Sequence, residues 1–446
     1  MGETGNDTIV APATPPGRGG IAVVRISGPR GIEIASELVG VLPRPREAHL
    51  CGFRNSDGGL IDRGLALYFE APHSYTGEAV LELHAHGSPI VVEMLVRRCL
   101  ELGCRLARPG EFSERAFLSG RLDLAQAEAV ADLIESSTES AARSALRSLQ
   151  GEFSKRVHLL VDNLTSLRVF IEAAIDFPDE EIDFLADNEV TKKLSSLGDE
   201  FFELKGAVRQ GKLLRDGLRV VLTGSPNAGK SSLLNLLSRE QRAIVSDIPG
   251  TTRDVLEQHL ELDGLPIVLI DTAGIRESDN WIEAEGVRRA QEAQKTADLV
   301  VLVEDSTQVN EGQIMNTDDE LPDAPVLTVH NKIDLSGHLA GRHGNSVFLS
   351  ALTGEGLEHL VDYLKEVAGY RETDSSQFIA RQRHIDSIDR ARSHLDAGIT
   401  QLEENQAAEI LAEELRLAQQ ALGEITGEVT SDELLGHIFS SFCIGK

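Results

Sequence analysis

Gly224-Ser225-Pro226-Asn227-Ala228-Gly229-Lys230-Ser231 has the spacing of a phosphate-binding loop: Gly, four residues, Gly, Lys, Ser. An apolar run, Leu218 to Leu222, precedes it, and a helical apolar pattern, Ser232 to Leu237, follows. Such a loop requires that strand, loop and helix setting. Glycine lets the backbone turn tightly and aim its N–H groups at phosphate oxygens. The N-terminus of the following helix adds its positive dipole. Lys230 has the reach for the β- and γ-phosphates, and the Ser231 hydroxyl can ligate Mg²⁺.

The remaining parts of a guanine-nucleotide domain follow in order. Ile267 to Ile270 is a short apolar run that predicts a buried strand delivering Asp271-Thr272-Ala273-Gly274. Asp271 suits an outer-sphere role on Mg²⁺, and the Gly274 N–H can meet the γ-phosphate. Between these motifs lies Gly250-Thr251-Thr252-Arg253-Asp254, where Thr252 completes the Mg²⁺ shell. Val326 to Val329 predicts a strand running into Asn331-Lys332-Ile333-Asp334. A carboxylate at Asp334 accepts from the N1–H and the 2-amino group of guanine. Adenine lacks that donor pair and would leave buried groups unpaired, so the pattern selects GTP over ATP. Ser350-Ala351-Leu352, after another short apolar run, fits the loop that covers the base. Five elements in one order, each with its own chemical reason, predict a P-loop GTPase domain of Ras-like α/β class.

The chain has 446 residues, enough for two to four domains. Its 41% hydrophobic and 26% charged content is that of an ordinary soluble protein. A net charge of −29 repels nucleic acid on average. An RNA partner would therefore have to meet a local basic patch or be held mainly by another protein. Cys51, Cys99, Cys104 and Cys443 lack metal-type spacing and read as reduced thiols, so a cytoplasmic protein is expected. Met1 to Asp7 is polar and acidic, without a signal-peptide pattern. No apolar run approaches the ~18 residues of a membrane span.

Residues 1–120 mix short strands and helices, which predicts an α+β domain. Ile21 to Ile26 reads as a strand after the Pro15-to-Gly20 turn cluster, and Leu65 to Phe69 and Ala79 to Leu83 read as two more. Pro89 to Leu102 has helical spacing and stops at Gly103. His84 and His86 face one side of a strand end. They allow a metal, but hydrogen bonding at a loop is favoured because no third ligand is in view. For Arg25 and Glu82 the residues alone suggest only surface salt bridges.

Residues 121–215 predict long amphipathic helices, over Leu122 to Leu149 and Val190 to Gln210, interrupted by Pro178 and Asp179-Glu180-Glu181. That acidic run reads as a solvated loop rather than a metal cluster. The nucleotide segment occupies 216–370. Residues 371–446 are again helical, most clearly at Ser376 to Ala397 and Ala407 to Leu422. Each helical block has an apolar stripe to bury. The simplest solution packs the two together, with the nucleotide domain inserted between them; two independent bundles are the alternative. The tail is not a prenylation box, because Lys446 stands where such a box carries Ser, Met, Gln, Ala or Leu. A frayed end is its ordinary reading.

Four further stretches carry a resemblance over nearly the whole chain: Ala13 to Gly20 (Ala-Thr-Pro-Pro-Gly-Arg-Gly-Gly), Pro109 to Phe117 (Pro-Gly-Glu-Phe-Ser-Glu-Arg-Ala-Phe), Leu122 to Ala129 (Leu-Asp-Leu-Ala-Gln-Ala-Glu-Ala), and the terminal Cys-Ile-Gly-Lys. With the nucleotide motifs, they make the chain resemble the bacterial tRNA modification GTPases of the MnmE or TrmE family. The resemblance implies a multidomain α/β and α protein with an N-terminal folate-binding domain, a discontinuous all-α helical domain and an inserted GTPase domain. It implies a homodimer formed through the N-terminal domains and a complex with the FAD-dependent partner MnmG (GidA), a heterotetramer. Together they would add a carboxymethylaminomethyl or aminomethyl group to C5 of the wobble uridine of certain tRNAs. A tetrahydrofolate derivative of the 5-formyl type would supply the one-carbon unit, and the tRNA would be held mainly through the partner.

By the same resemblance, Arg25, Glu82, Arg121 and Lys446 contact the folate, which reverses the plain readings of Arg25 and of the tail. Arg121 stands where a lysine is expected but keeps the charge. The nucleotide would be lined by Asn227 to Ser232, by Ser246-Asp247-Ile248-Pro249-Gly250-Thr251-Thr252, and by the motifs above. Ile275 follows Gly274, so no glutamine is present there to orient water. The resemblance implies a K⁺ ion bound by Asn227 and by groups at Ser246, Ile248 and Thr251, where a cation offsets charge developing at the β–γ bridge. Lys230 and Asn227 would then serve catalysis. Glu283 would help to place the water; an exposed helix-start carboxylate is its other reading. Two further hypotheses stand beside this one. A regulatory GTPase, for example in ribosome assembly, would hydrolyse slowly and without regard to K⁺ or Na⁺. A metal-dependent hydrolase would use His84 and His86.

Overall fold

The computed structural model describes residues 7–176, 188–240, 257–271, 297–308, 324–370 and 378–445. The chain divides into two compact units, the first made of residues 1–131, 157–177 and 394–446, the second of 132–156 and 178–393.

The first unit carries a six-stranded sheet. Its strands are β1 (Ile9–Pro12), β2 (Gly19–Ser27), β3 (His49–Arg54), β4 (Leu60–Phe69), β5 (Val80–Gly87) and β6 (Arg105–Leu106), in the order β3-β4-β5-β2-β1-β6. Alternation decides which face is covered. Val24, Ile26, Leu81 and Leu83 are buried together with Ile34 and Leu38 of helix Gly31–Val39 and with Leu95 and Cys99 of helix Pro89–Glu101. Arg25, Glu82 and His84 alternate with these residues and point the other way.

Helix Ala408–Thr426 belongs to the same unit. It buries Leu411, Leu415, Ala418, Leu422 and Ile425. That four-three spacing forms one apolar stripe along a helix. Gln419 Nε2 on this helix donates to Thr165 Oγ1 over 2.7 Å. A hydrogen bond therefore joins the helical block after the nucleotide segment to the block before it. His394 Nδ1 lies 2.7 Å from Glu414. Leu124, Ala127 and Ala131 pack with Ile438, Phe439 and Phe442, so the C-terminal helix Asp432–Ser440 is also seated.

The second unit carries seven described strands: β7 (Leu218–Gly224), β8 (Glu257–Leu262), β9 (Leu265–Asp271), β10 (Leu299–Asp305), β11 (Val326–Asn331), β12 (Gly341–His343) and β13 (Ser346–Phe348). Their order is β12-β13-β11-β10-β7-β9-β8. The five inner strands are parallel, and β8 and β12 pair antiparallel at the edges. Parallel strands bury both faces, which explains why Val220, Val221 and Leu222 are all buried in succession. Helices Lys230–Glu240 and Leu357–Val367 contribute Leu233, Leu237, Leu360 and Leu364 to one core.

The helical part of this unit is tied across the nucleotide segment as well. Phe153 stacks on Phe378 with centroids 4.6 Å apart, and Ser148 Oγ accepts from the Ile379 N–H over 2.9 Å. Asp132, 4% exposed, accepts from Arg215 Nε at 2.8 Å and from an Arg381 guanidinium nitrogen at 2.7 Å.

Candidate functional site

The loops that follow β7, β10, β11 and β13 meet at one edge of the sheet of the second unit. In an open parallel sheet the crevice at the strand C-termini is where ligands bind. Gly224, at φ +139, ends β7; a Cβ on it would lie 2.1 Å from the Val303 carbonyl oxygen. Gly229, at φ +100, leaves no room either, since its Cβ would meet Asn331 Nδ2 at 2.1 Å. Asn227, exposed and at φ +64, adopts the left-handed conformation that asparagine tolerates best among non-glycine residues.

Lys230 opens the helix, and its ammonium group donates to the Gly224 and Ser225 carbonyls over 2.8 and 2.9 Å. The cation is thus folded back over the loop, at the position a phosphate cradle needs. Ser231 and Ser232, the next two helix residues, are exposed.

The base side is built as tightly. Asn331, 2% exposed, donates from Nδ2 to the Ala228 carbonyl over 2.8 Å, and its Oδ1 accepts from the Ala351 N–H over 2.8 Å. One side chain therefore holds the phosphate loop to the covering loop. Ser350 Oγ donates to Asp334 Oδ1 over 2.6 Å and accepts from the Leu352 and Thr353 N–H groups. The Asp334 carboxylate is exposed but oriented. Leu352 stands 82% exposed on the loop.

Asp305, at the end of β10, was not singled out by sequence. It accepts from Lys332 Nζ over 2.6 Å. The Lys332 ammonium first and the Thr307 hydroxyl next lower its pKa to about 2, against a smaller opposing effect of burial. The available signal was an aspartate closing the apolar run Leu299 to Val303 at a strand's C-terminal end.

Asp271 ends β9, and its backbone lies in register with Leu222. Ser246, Asp247, Ile248, Pro249, Gly250, Thr251, Thr252, Thr272, Ala273, Gly274, Glu283 and Lys446 lie outside the described residues.

In the first unit, Arg25 and Glu82 are cross-strand partners, joined by Arg25 Nε donating to Glu82 Oε1 over 2.9 Å. The Arg25 guanidinium lies 5.4 Å from the Tyr75 ring centroid and 5.7 Å from that of Phe112. It also donates to the Gly445 carbonyl over 3.4 Å. The tail is not frayed through Gly445: Ile444 bridges Pro109, and the Gly110 N–H donates to the Cys443 carbonyl. Tyr75, Phe112 and the Gly445 carbonyl were missed by sequence because only the fold brings them to Arg25. Arg121 is exposed, and among the described residues no hydrogen bond or ion pair joins its side chain to Arg25 or Glu82.

His84 Nε2 lies 3.4 Å from Glu82, and His86 Nδ1 lies 2.8 Å from Asp62. The two histidines thus have separate carboxylate partners. Among the described residues, no group of three or more His, Cys, Asp or Glu could hold a metal ion. No helix among them is long and apolar enough to cross a membrane.

Two family models match. One, described as the GTP-binding protein TrmE N-terminus, covers residues 8–121, and the other, the MnmE helical domain, covers 124–443. The tRNA modification GTPase MnmE of Marinobacter nauticus is 53% identical over 99% of this chain and 99% of its own. That of Stutzerimonas stutzeri is 54% identical over 99% of each. Among solved structures, the G domain of the T. maritima FeoB iron transporter aligns at 31% identity over 34% of this chain and 98% of its own, with a TM-score of 0.25. Full-length identity at this level, joined to a braced phosphate and base site, places the chain in the MnmE (TrmE) family of tRNA modification GTPases, GTP hydrolases that act in tRNA modification.

Proposed function

We propose that this chain is a K⁺-activated GTPase that works with the FAD-dependent protein MnmG to add a carboxymethylaminomethyl or aminomethyl group at C5 of the wobble uridine of certain tRNAs. The carbon comes from a tetrahydrofolate derivative. Residues 1–120 form the folate-binding and dimerising part, 121–215 and 371–446 the two parts of the helical domain, and 216–370 the GTPase domain. The protein works in the cytoplasm as a homodimer that forms a heterotetramer with MnmG, which holds most of the tRNA.

The described residues support this reading. Lys230 lies against the loop where β- and γ-phosphates would sit, and Ser231 follows it as a Mg²⁺ ligand together with Thr252. Asp334, oriented by Ser350, accepts from the two donors on the guanine edge, while Asn331 and Ala351 fix the loop above the base. Asn227 presents its side chain from an exposed, left-handed crest, where with Ser246, Ile248 and Thr251 it would hold K⁺. Such a cation supplies positive charge at the β–γ bridge, the place a glutamine or arginine finger serves elsewhere. Glu283 orients the attacking water.

In the first unit, the Glu82 carboxylate suits the paired N–H donors of a pterin. Arg25, flanked by Tyr75 and Phe112, donates to Glu82 Oε1 and so fixes the orientation of that carboxylate. Lys446 is the next residue after Gly445, whose carbonyl accepts from Arg25 of this pair. Arg121 adds a further cation for the folate's carboxylates.

The observation that carries the reading is that one chain joins a guanine-type loop pair, closed by Asn331, to an Arg25–Glu82 pair contacted by its own C-terminal tail. The test is the wobble uridine of tRNA from cells lacking the gene. Loss of the modified nucleoside, restored by the wild-type gene and not by Asp334→Ala, is expected. A normal content of modified nucleoside ends the proposal.

A further inference from the structure

Lys332 sits in the left-handed region, at φ +68 and ψ +37, and it caps the short helix Ile333–Ser336 that carries Asp334. A lysine has no glycine-like freedom there, and such a backbone persists only where its surroundings over-determine it. The surroundings are visible. The Lys332 ammonium donates to Asp305 Oδ2 over 2.6 Å. The second oxygen, Oδ1, accepts from the Thr307 N–H at 3.0 Å and from its hydroxyl at 2.7 Å. Ser306, between them, donates from its N–H to the Asn331 carbonyl over 2.9 Å, and its hydroxyl lies 2.8 Å from that of Ser336. Asp305 and Asn331 are themselves register partners on adjacent parallel strands. Asp305 and Ser306 are thus bonded to both ends of the turn that presents Asp334, to Asn331 and Lys332 before it and to Ser336 after it.

We infer that Asp305 is a positioning residue of the guanine site: by holding the Lys332 ammonium it fixes the left-handed turn from which Asp334 meets the base. Asp305 touches no nucleotide atom in this scheme. It acts through Lys332, whose charge it also offsets, so the lysine stem is held in one place before the base arrives. Preorganisation of this kind lowers the ordering cost of binding and leaves the cleavage step alone. The effect belongs in nucleotide affinity and in KM, and not in kcat. The inference rests on the proposed guanine site and adds a residue to it.

The test uses the full-length protein, a fluorescent GDP analogue for affinity and off-rate, and steady-state GTP hydrolysis. Asp305→Ala removes the charge-assisted hydrogen bond to Lys332, which corresponds to about a tenfold loss of affinity, together with the Thr307 contacts. KM for GTP rises in parallel, with kcat within about twofold of wild type. Asp305→Asn keeps the Thr307 contacts and guards against misfolding; it is expected to weaken binding in the same direction. Because Asp305 acts through Lys332, Asp305→Ala adds little further loss in a Lys332→Ala background. Losses that multiply in the double variant overturn the inference, as does a fall in kcat at unchanged KM. Asp334→Ala separates the two levels. If it binds GDP as tightly as wild type, the guanine-site reading falls. If it loses GDP while Asp305→Ala and Asp305→Asn keep it, only the role given to Asp305 falls.

Discussion

Asn331 Nδ2 donates to the Ala228 carbonyl over 2.8 Å, joining residues 103 apart in sequence, one on the base loop and one on the phosphate loop. With the Ala351 N–H on its Oδ1, the side chain leaves neither loop free to settle without the other. Asn331→Ala would orphan a carbonyl and an N–H in a buried setting, at about 1–3 kcal/mol for each group. Titration with a fluorescent GDP analogue should show at least about a tenfold loss of affinity. A loss below about threefold would contradict the brace. Gly229→Ala should be as damaging, because its Cβ would lie 2.1 Å from an Asn331 amide that is already held twice.

The C-terminal tail gives a second prediction. Gly445, at φ +99, approaches Pro12 so closely that a Cβ would stand 2.1 Å from its backbone carbonyl oxygen. Backbone cannot yield as a side-chain tip can. Gly445→Ala should unseat the tail from Arg25, and hydrogen exchange at the Gly110 N–H, bonded to the Cys443 carbonyl, should quicken. Unchanged exchange would mean that the tail is held by other means.

Glu111 sets a pH dependence. It is 1% exposed, and burial raises its pKa. The Arg105 guanidinium and the Arg108 N–H prevail and hold it at about 2, against 4.5 for a free glutamate. A depressed carboxylate contributes stability that is complete above the unfolded value and disappears as pH falls toward the folded one. The window is therefore between 4.5 and about 2. The difference corresponds to about 3 kcal/mol. Thermal melts of Glu111→Gln should show lower stability than wild type at pH 7, with the gap narrowing across that window. A gap that stays constant down to about pH 2 would show that the carboxylate charge is not what matters.

Asp132 predicts a different kind of loss. Arg215 and Arg381 both bond to its Oδ1, and Arg381 also approaches Oδ2 at 3.4 Å. Removing one partner of a buried ion cluster leaves uncompensated charge, at about 3–5 kcal/mol. Asp132→Ala should lower the denaturant midpoint accordingly, while a change under about 1 kcal/mol would place the cluster among ordinary surface pairs.

The described loops of the candidate nucleotide site were legible because their chemistry is written in contiguous residues. Gly224 to Ser231 and Asn331 to Asp334 each contain, in a few positions, the groups that a phosphate or a guanine edge demands. The inner strands were legible for a similar reason, since burial on both faces leaves an unbroken apolar run such as Leu218 to Leu222. The braces were not legible. Arg25 and Glu82 are 57 residues apart and Asp132 and Arg381 249 apart, and no local pattern marks such pairs. Arg25 and Glu82 read as ordinary surface charges until the strand register is known. Asp305 was closer to view, as an aspartate at the end of an apolar run, but its partner lies one strand away. A helix was expected over Ala407 to Leu422 from its apolar spacing and runs over Ala408–Thr426; that it would meet Thr165 followed only from the fold.

The most direct measurement is the GTP hydrolysis rate in KCl against NaCl at equal ionic strength, for wild type and for Asn227→Ala. The account predicts faster hydrolysis by wild type in KCl and loss of that advantage in the variant. Equal rates in both salts, for both proteins, would contradict it.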